Sequence, residues 1–477
     1  MREHYEIVFV GSGFSSQLFL RGLLKAKSPR KVLILEKGAH RSWEWQVRNQ
    51  RNEEKAYASA GAVELSGLRG KSWPHTVGVG GSSNCWWANT MRFHPADLKL
   101  KTTYGVGVDW PVTYDDLEPF YTEFEEIMAV SGDNDSAVLF PRSKPFPQSR
   151  HRFSRVARAF KDKYPDQYFA MPQARARTAT GRRNPCCSNS ACGLCPNNAK
   201  YALVEDMAWL LDDPRIELRT ETEVKHVVVE GGRATGVACT GPNGDYEVGA
   251  DMVVMGANGI YNPFILLKSG IDHGPVGKGL TEQIPVYVML NLDGVDDGDG
   301  SSHITGVGYN FAVGEFRRTA AGGFYETSNL PRYRPHKDRW RQRLNMTILL
   351  DDLRQDRNFV GVSKDGRPLV HFEDWSPYAH AGLKHVRENV EALLAHLPIE
   401  EMEVRYGDAG GHGHIEGTTV MGADPATSVV DADLVHHKVR NLVVLGSGAF
   451  PTAGGVNPTL TVGALALRSA SRLFGRV

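Results

Sequence analysis

The chain has 477 residues, with 55 Lys and Arg against 55 Asp and Glu, so its formal net charge is zero at neutral pH. This length exceeds what a single hydrophobic core usually serves, and two domains are therefore expected. The balanced charge offers no electrostatic footprint for nucleic acid, and no run approaches the ~18 consecutive apolar residues of a membrane span. We therefore expect no nucleic acid partner and no direct membrane insertion.

The N-terminus reaches its first predicted strand at Tyr5. That leaves no room for the charged, apolar and cleavage regions of a secretory signal, so a cytoplasmic protein is expected. Export to the periplasm together with a signal-bearing partner subunit would leave the same sequence and remains the alternative.

A glycine-rich turn follows the first strand. Residues 5–10 are apolar and run directly into Gly11-Ser-Gly13, after which an amphipathic helix and a second apolar strand ending at Glu36 are predicted. The glycines let the backbone approach a pyrophosphate at a helix N-terminus, and an acid 25 residues after Gly11 can bind a ribose diol. The order predicts a dinucleotide site, although Ser16 stands at the third small position and the motif alone does not separate FAD from NAD.

The composition and the predicted elements change at two points in the middle of the chain. Residues 136–200 are rich in Pro, Arg and Ser and predict a loop excursion, after which a helix near 203–211 and strands at 217–219, 223–230, 235–240 and 251–256 resume. From about Pro275 to Tyr406, alternating segments such as 286–292 and 345–350 predict a mostly antiparallel sheet with one solvated face, followed by a helix over 378–397.

The chain then returns to the first domain, with a strand over 441–446 and a closing helix over 459–473. The predicted division is a discontinuous cofactor domain, an excursion that carries a cysteine-rich loop, and a substrate domain. Their bounds are 1–95, 200–274 and 425–477 for the first, 96–199 for the second, and 275–424 for the third.

Two histidines precede a glycine-dense tail. His412 and His414 open the segment, and residues 446–461 hold glycines, hydroxyl side chains and Asn457. Such a segment can lay backbone N–H groups against a flat cofactor while imidazole and amide face its reactive atom. That is the chemistry of a flavin site.

These motifs resemble the glucose-methanol-choline (GMC) oxidoreductase family, and within it the catalytic subunits of bacterial FAD-dependent glucose, fructose and gluconate dehydrogenases. The resemblance rests on residues at both ends and in the middle of the chain. The matching pieces are Val79-Gly-Gly-Ser-Ser83, Tyr104-Gly-Val-Gly-Val-Asp-Trp-Pro111, Tyr114-Asp-Asp-Leu-Glu-Pro119, Gly256-Ala-Asn258, His414-Ile-x-Gly-Thr-Thr-x-Met-Gly422, Asp424-Pro-x-x-Ser-Val-Val-Asp431 and Val456-Asn-x-Thr-Leu-Thr461.

The resemblance implies an α/β protein, with a doubly wound FAD-binding Rossmann-like domain and a second, substrate domain on a mostly antiparallel sheet. It also implies an enzyme that oxidises a CH–OH group of a sugar, cyclitol or glycoside by hydride transfer to flavin N5. By motif position His414 is the general base and Asn457 the group that holds the hydroxyl. Imidazole titrates near neutrality and an uncharged amide does not compete for the proton. His412 would share a face with His414 in an extended segment, and its expected role is structural.

Three segments are expected to contact the flavin, and the segment after Gly80 to line the isoalloxazine through Ser82, Ser83, Asn84 and Trp86. No histidine lies between Gly80 and Met91, so a non-covalent flavin is expected, and Trp87 is expected in the core. The residues predicted to bind the cofactor are Gly11, Gly13, Phe14, Ser15, Ser16, Glu36, Lys37, Gly80, Gly81, Ser82, Ser83, Asn84, Trp86, Val224, Ala257, Asn258, Gly448, Ala449, Asn457, Pro458 and Thr459.

Four of the six cysteines crowd into one loop, at Cys186, Cys187, Cys192 and Cys195. Similar sugar dehydrogenases carry a three-iron cluster on a loop like this one, which passes electrons to a cytochrome partner. The resemblance therefore implies an iron–sulfur cluster on Cys187, Cys192 and Cys195, with Cys186 a weaker candidate. The last two cysteines are one residue closer than in those enzymes, so zinc and free thiols stay open as alternatives. Cys85 and Cys239 are single and expected as buried hydrophobes.

Three other functions remain open from the sequence. An oxygen-using alcohol oxidase would share every motif, and an electron-transfer flavoprotein would keep the cofactor site without a working base. A nicotinamide enzyme would share only the N-terminal fingerprint. The sequence does not name the substrate, the electron acceptor or the oligomeric state.

Overall fold

The computed structural model describes residues 3–26, 31–50, 55–56, 62–188, 192–330 and 333–475. Its strands are β1 (Glu3–Val10), β2 (Val32–Leu35), β3 (Lys55–Ala56), β4 (Glu64–Gly67), β5 (His75–Thr76), β6 (Ser131–Gly132), β7 (Gln148–Ser149), β8 (Tyr168–Ala170), β9 (Ile216–Arg219), β10 (Glu223–Glu230), β11 (Arg233–Gly241), β12 (Gly244–Met255), β13 (Ile284–Leu292), β14 (Ile304–Gly308), β15 (Gly323–Ser328), β16 (Arg343–Leu350), β17 (Phe359–Val362), β18 (Pro368–Phe372), β19 (Ile399–Tyr406) and β20 (Leu442–Val444). Its α-helices are α1 (Phe14–Ala26), α2 (Trp43–Arg48), α3 (Leu100–Tyr104), α4 (Tyr114–Met128), α5 (Arg155–Lys163), α6 (Leu203–Asp206), α7 (Asn258–Lys268), α8 (Pro377–Leu394) and α9 (Thr459–Phe474).

A seven-stranded sheet carries the N-terminal fingerprint. Its order is β10-β11-β12-β1-β2-β9, with β20 pairing the last residues of β12. The strands β1, β2, β9, β12 and β20 run parallel, as the apolar runs in the sequence predict, and β10 to β12 form an antiparallel meander. Helices α1 and α9 pack side by side, where Gly22 lets the backbones approach at Ala470.

A six-stranded sheet forms the second layer, in the order β19-β13-β16-β15-β14-β8, and all of its pairs are antiparallel. Side chains along β13 alternate, so that Val286, Val288 and Leu290 are buried while Tyr287 and Met289 are half-buried. Helix α8 packs on this sheet. The apolar face thus meets the core, and the polar face stays partly open.

The excursion predicted over 96–199 is partly regular. Helix α5 begins after Ser154, whose hydroxyl accepts a hydrogen bond from the Ala157 amide, and β8 adds an edge strand to the six-stranded sheet. The sequence prediction of a loop over 136–200 missed both elements because the apolar positions of α5 are few and β8 has only three residues.

No helix among the described residues is both long and apolar enough to cross a lipid bilayer.

Candidate active site

A deep pocket opens where β1, β2 and β12 end. Its empty volume is about 1320 Å³, and its walls come from both ends of the chain. The carboxyl ends of parallel strands are where α/β sheets bind their ligands. The pocket is lined by Val10, Gly11, Ser12, Gly13, Phe14, Ser15, Leu35, Glu36, Lys37, His75, Thr76, Val77, Gly81, Ser82, Thr222, Glu223, Val224, Gly256, Ala257, Asn258, Gly259, Tyr261, Phe264, Ile265, Gly413, His414, Ile415, Gly446, Ser447, Pro458, Thr459 and Val462.

The turn from β1 to α1 has the shape that a pyrophosphate needs. Gly11 has φ +89°, and a Cβ atom built on it would meet the Gly256 carbonyl oxygen at 2.8 Å. A Cβ atom on Gly13 would meet no atom within 4 Å, since this glycine faces the pocket. The first amides of α1 have no acceptor within the helix and a partial positive charge at that end. These residues therefore fit the pyrophosphate of a dinucleotide.

Glu36 closes the other side of this turn. Its carboxylate accepts hydrogen bonds from the Ser12 hydroxyl at 2.6 Å and from the amides of Gly38 at 2.9 Å and Gly78 at 3.2 Å. Burial raises the pKa of Glu36, against the opposite effect of these hydrogen bonds. A carboxylate anchored at the end of the second strand is positioned to bind a ribose diol.

His414 lies at the far wall of the same pocket. Its Nδ1 is 2.7 Å from Oε1 of Gln283. The Gln283 amide nitrogen donates to the carbonyl oxygens of Gly454 at 2.6 Å and Val456 at 3.2 Å, so its oxygen end must face the histidine. An amide oxygen only accepts, which places the proton of the imidazole on Nδ1 and leaves the lone pair on Nε2.

Asn457 completes the pair that the motif predicts. Its Nδ2 lies 3.4 Å from Nε2 of His414, a long hydrogen bond, and its buried Oδ1 has no partner among the described residues. The same loop that presents Asn457 is held by Gln283 through Val456. One buried glutamine therefore fixes both members of the pair.

A buried ion pair between Lys71 and Glu282 anchors the backbone of the histidine segment. Oε1 of Glu282 accepts the amides of His412 at 2.9 Å and His414 at 3.0 Å, and its other oxygen pairs with the Lys71 ammonium. Burial alone would raise the pKa of Glu282, but Lys71 and the two histidines outweigh it and lower that pKa. Burial lowers the pKa of His414 to about 4. The imidazole is therefore neutral, and a proton acceptor, across the physiological range.

His412 faces a different partner. Its Nε2 lies 3.2 Å from the Tyr287 hydroxyl on β13, and its ring is 6.3 Å from that of His414. Burial lowers the pKa of His412 as well. The structure thus brings both histidines to one site, with only His414 among the pocket-lining residues.

Most of the predicted site residues meet in the pocket. Those that line it are Gly11, Gly13, Phe14, Ser15, Glu36, Lys37, Gly81, Ser82, Val224, Ala257, Asn258, His414, Pro458 and Thr459. The predicted site residues that do not line it are Ser16, Gly80, Ser83, Asn84, Trp86, Gly448, Ala449 and Asn457.

Several of the residues that do not line the pocket hold the glycine-rich segment around Gly80 in place. The Ser83 hydroxyl bonds the Gly80 carbonyl at 2.7 Å, and the Asn84 amide nitrogen bonds the Val79 carbonyl at 3.0 Å. Trp86 donates its indole N–H to the Tyr201 carbonyl at 2.8 Å and packs edge-on against Phe14. These side chains shape the pocket through their neighbours.

Trp87 is not the core residue that the sequence predicts. Its side chain is 46 % exposed and stacks on His303 at 4.7 Å. The next residue, Ala88, has φ +62°, in the left-handed region of backbone conformation. Cys239 is buried, as expected, whereas Cys85 is half-buried.

Sequence reasoning missed four residues that position the histidine segment, namely Lys71, Glu282, Gln283 and Tyr287. A signal for two of them was present, because Thr281-Glu-Gln283 places three polar residues at the start of an otherwise apolar strand. It also missed other residues that line the pocket, namely Ser12, His75, Thr76, Thr222, Tyr261 and Ser447.

The cysteine loop does not form the predicted metal site within the described residues. Among them no group of three or more His, Cys, Asp or Glu side chains is placed to hold a metal ion, and residues 189–191 of the loop lie outside the described part. Cys192 and Cys195 are buried, Cys186 is half-buried and Cys187 is exposed. Burial raises the pKa of the Cys192 thiol to about 11. The predicted iron–sulfur cluster finds no support in this geometry.

Two family models match this chain, and several known proteins are similar to it. Residues 53–285 and 336–466 match the N- and C-terminal models described as GMC oxidoreductase. The fructose dehydrogenase large subunit of Gluconobacter japonicus is 28 % identical over 83 % of this chain and 80 % of its own length. The 6'''-hydroxyparomomycin C oxidase of Streptomyces lividus is 30 % identical over 84 % of this chain and 79 % of its own. The paromamine 6'-oxidase of Streptomyces fradiae is 28 % identical over 99 % of this chain and 91 % of its own.

Solved structures share the fold at low identity. Pyridoxine 4-oxidase from Mesorbium loti superposes with a TM-score of 0.64 at 18 % identity, covering 98 % of this chain and 99 % of that one. A formate oxidase variant from Aspergillus oryzae RIB40 gives 0.68 at 15 % identity, with 98 % of each chain covered.

Proposed function

Because the chain belongs to the GMC oxidoreductase family, we propose that it is an FAD-dependent enzyme that oxidises a CH–OH group of a sugar, cyclitol or glycoside. One observation carries this proposal: the neutral imidazole of His414 presents its Nε2 lone pair beside the Asn457 amide, at the wall of the pocket that Gly11, Gly13 and Glu36 also line. The relatives named for fructose, 6'''-hydroxyparomomycin C and paromamine support a substrate of this class.

The residues around the pocket fit FAD. Gly11, Gly13 and the first amides of α1 would hold the pyrophosphate, and Glu36 the ribose. Gly81 and Ser82 line the pocket with Pro458 and Thr459, and they would enclose the ring system near His414. When bound, FAD supplies the hydride acceptor for the carbinol carbon.

The protein supplies the proton chemistry. Nε2 of His414 accepts the hydroxyl proton, and the rising electron density on the oxygen favours departure of the hydride from its carbon. Gln283 keeps the other ring nitrogen protonated, so the basic nitrogen stays on the substrate side. The Asn457 amide N–H bonds the same substrate oxygen in place of its long contact with the imidazole. The ion pair of Lys71 with Glu282 holds the segment rigid through two backbone amides.

No step is assigned to a metal cluster, because the described thiols do not fit one. The relatives include both a dehydrogenase subunit and oxidases by name. The electron acceptor is therefore either oxygen or a separate acceptor, such as a cytochrome-type partner protein. Peroxide production under air distinguishes the two.

The test uses the purified holoenzyme. We expect a yellow protein whose blue absorbance bleaches when fructose, glucose or a methyl glycoside is added without oxygen. A parallel reaction in air, followed by a peroxide assay and by a dye acceptor, separates the oxidase from the dehydrogenase. A colourless protein that reduces NAD⁺ would overturn the proposal, and so would a flavin that neither these sugars nor their amino derivatives reduce.

A further inference from the structure

One row of side chains crosses the open face of the six-stranded sheet. Tyr287 on β13 pairs with Thr347 on β16, which pairs with Glu326 on β15. Directly paired residues of antiparallel strands project to the same face, so these three side chains share the face opposite α8 and the apolar core. The Tyr287 hydroxyl contacts Nε2 of His412 at 3.2 Å. The row therefore begins at the histidine segment and ends at Glu326.

Glu326 is a half-buried carboxylate with an amide as its partner. Its Oε2 accepts a hydrogen bond from Nδ2 of Asn89 at 3.2 Å. No lysine, arginine or histidine of the described residues forms an ion pair with it, and burial raises the pKa of Glu326 to about 7. Oδ1 of the same Asn89 is buried and has no partner among the described residues. Among the described residues, the Glu326 carboxylate thus has an uncharged donor but no cation, and the neighbouring Asn89 oxygen has no donor.

Neither arginine of this face forms an ion pair with Glu326. Arg343 on β16 donates to the Met289 sulfur at 3.4 Å, and Arg405 lies over the Tyr287 ring at the opposite, exposed end of the row. An uncompensated carboxylate in a poorly solvated position favours a cationic donor that arrives with a ligand. An ammonium group brings one positive charge and three N–H donors, enough for the carboxylate and the asparagine oxygen together.

We propose that Glu326 and Asn89 form a subsite for an ammonium group, so that this enzyme selects amino sugars over neutral sugars. The inference rests on the proposed oxidation of a CH–OH group at His414. Two strand spacings separate Tyr287 from Glu326, about 10 Å between backbones. The inference therefore places the amine and the reacting hydroxyl at separate positions of the substrate.

The first test needs no variant. A panel of methyl glycosides with an amine at carbon 2, 3 or 6 is compared with the matching hydroxyl and N-acetyl compounds, and anaerobic flavin reduction gives kcat/KM for each. A charge-assisted hydrogen bond predicts that at least one amine exceeds both of its neutral counterparts by about 10- to 150-fold. If neutral glycosides reduce the flavin as well as every amine does, the inference is overturned while the proposed oxidation stands. If no compound of the panel reduces it, both fail.

The second test uses Glu326→Gln, which keeps the shape and hydrogen bonding but removes the charge. We expect its preference for the amine over the N-acetyl compound to fall by about 10- to 150-fold, with flavin content and reduction by the neutral glycoside retained. Glu403→Gln is the matched control, because Glu403 is an exposed acid on the same face, paired with Met289. Its preference should equal that of the wild type. An unchanged preference in Glu326→Gln, or an equal loss in Glu403→Gln, would overturn the inference.

Discussion

Replacing Gln283 by methionine tests whether the protonation of one ring nitrogen controls the chemistry of His414. The substitution keeps the volume but removes the oxygen that lies 2.7 Å from Nδ1. It also removes the donor to the carbonyl oxygens of Gly454 and Val456. The imidazole then has no group that prefers the proton on Nδ1, and the form with its lone pair on Nε2 is no longer favoured.

The size of the effect follows from the burial of the pair. Gln283 is fully buried, and a buried N–H left without an acceptor costs about 1–3 kcal/mol. That cost applies to the form of His414 that carries its proton on Nδ1 and its lone pair on Nε2. We therefore expect flavin reduction to slow by about 5- to 150-fold. Stopped-flow mixing with a saturating sugar under anaerobic conditions measures this rate directly, and the absorbance ratio of flavin to protein reports cofactor content.

Gln173→Met is the control for general damage. Gln173 is also fully buried, and its amide nitrogen donates to the Ile304 carbonyl at 2.8 Å, while its oxygen accepts from the Ser302 hydroxyl. We expect this variant to unfold at a lower temperature but to reduce its flavin at the wild-type rate. Equal rates in Gln283→Met and the wild type would refute the role assigned to the glutamine, and equal slowing in both variants would show that the effect is structural.

Three further outcomes are expected. Burial lowers the pKa of His414 to about 4. The rate of flavin reduction should therefore stay level from pH 8 to about 5 and fall about tenfold per pH unit below pH 4, as the base is protonated. A fall in rate centred near pH 6.5 would contradict the burial of the imidazole. Gly11→Ala should lower flavin content, since its Cβ atom would meet the Gly256 oxygen at 2.8 Å at φ +89°; full flavin occupancy would argue against the close approach. Lys71→Met should destabilise the fold by about 3–5 kcal/mol in chemical denaturation, because it strands the Glu282 carboxylate in the core; an unchanged midpoint would show that the pair contributes nothing.

The sequence predicts a structural feature best when all the residues that determine it lie in one short segment. The turn at Gly11 follows from a strand, two glycines and a helix start within residues 3–14, and the structure has these elements in the expected order. The proximity of His414 and Asn457 could also be predicted, but only from the family resemblance. Their spacing gives no such indication, because 43 residues separate them along the chain.

The rest depends on contacts that local patterns do not contain. Gln283 reaches His414 across 131 residues, and nothing beside it in the sequence indicates which ring nitrogen it meets. Trp87 is 46 % exposed, although its residue type alone favours burial. The cysteines from Cys186 to Cys195 are close in sequence, yet their side chains differ in burial, and their spacing does not predict which of them are buried.

The account depends most on His414 as the group that takes the hydroxyl proton. The direct measurement compares His414→Ala with His412→Ala in single-turnover flavin reduction by a sugar that bleaches the wild-type enzyme. We expect His414→Ala to retain FAD and to slow by at least about 10²-fold, because loss of a general base costs that much, while His412→Ala keeps most of the rate. Normal reduction by His414→Ala, or a larger loss in His412→Ala, would contradict the assignment.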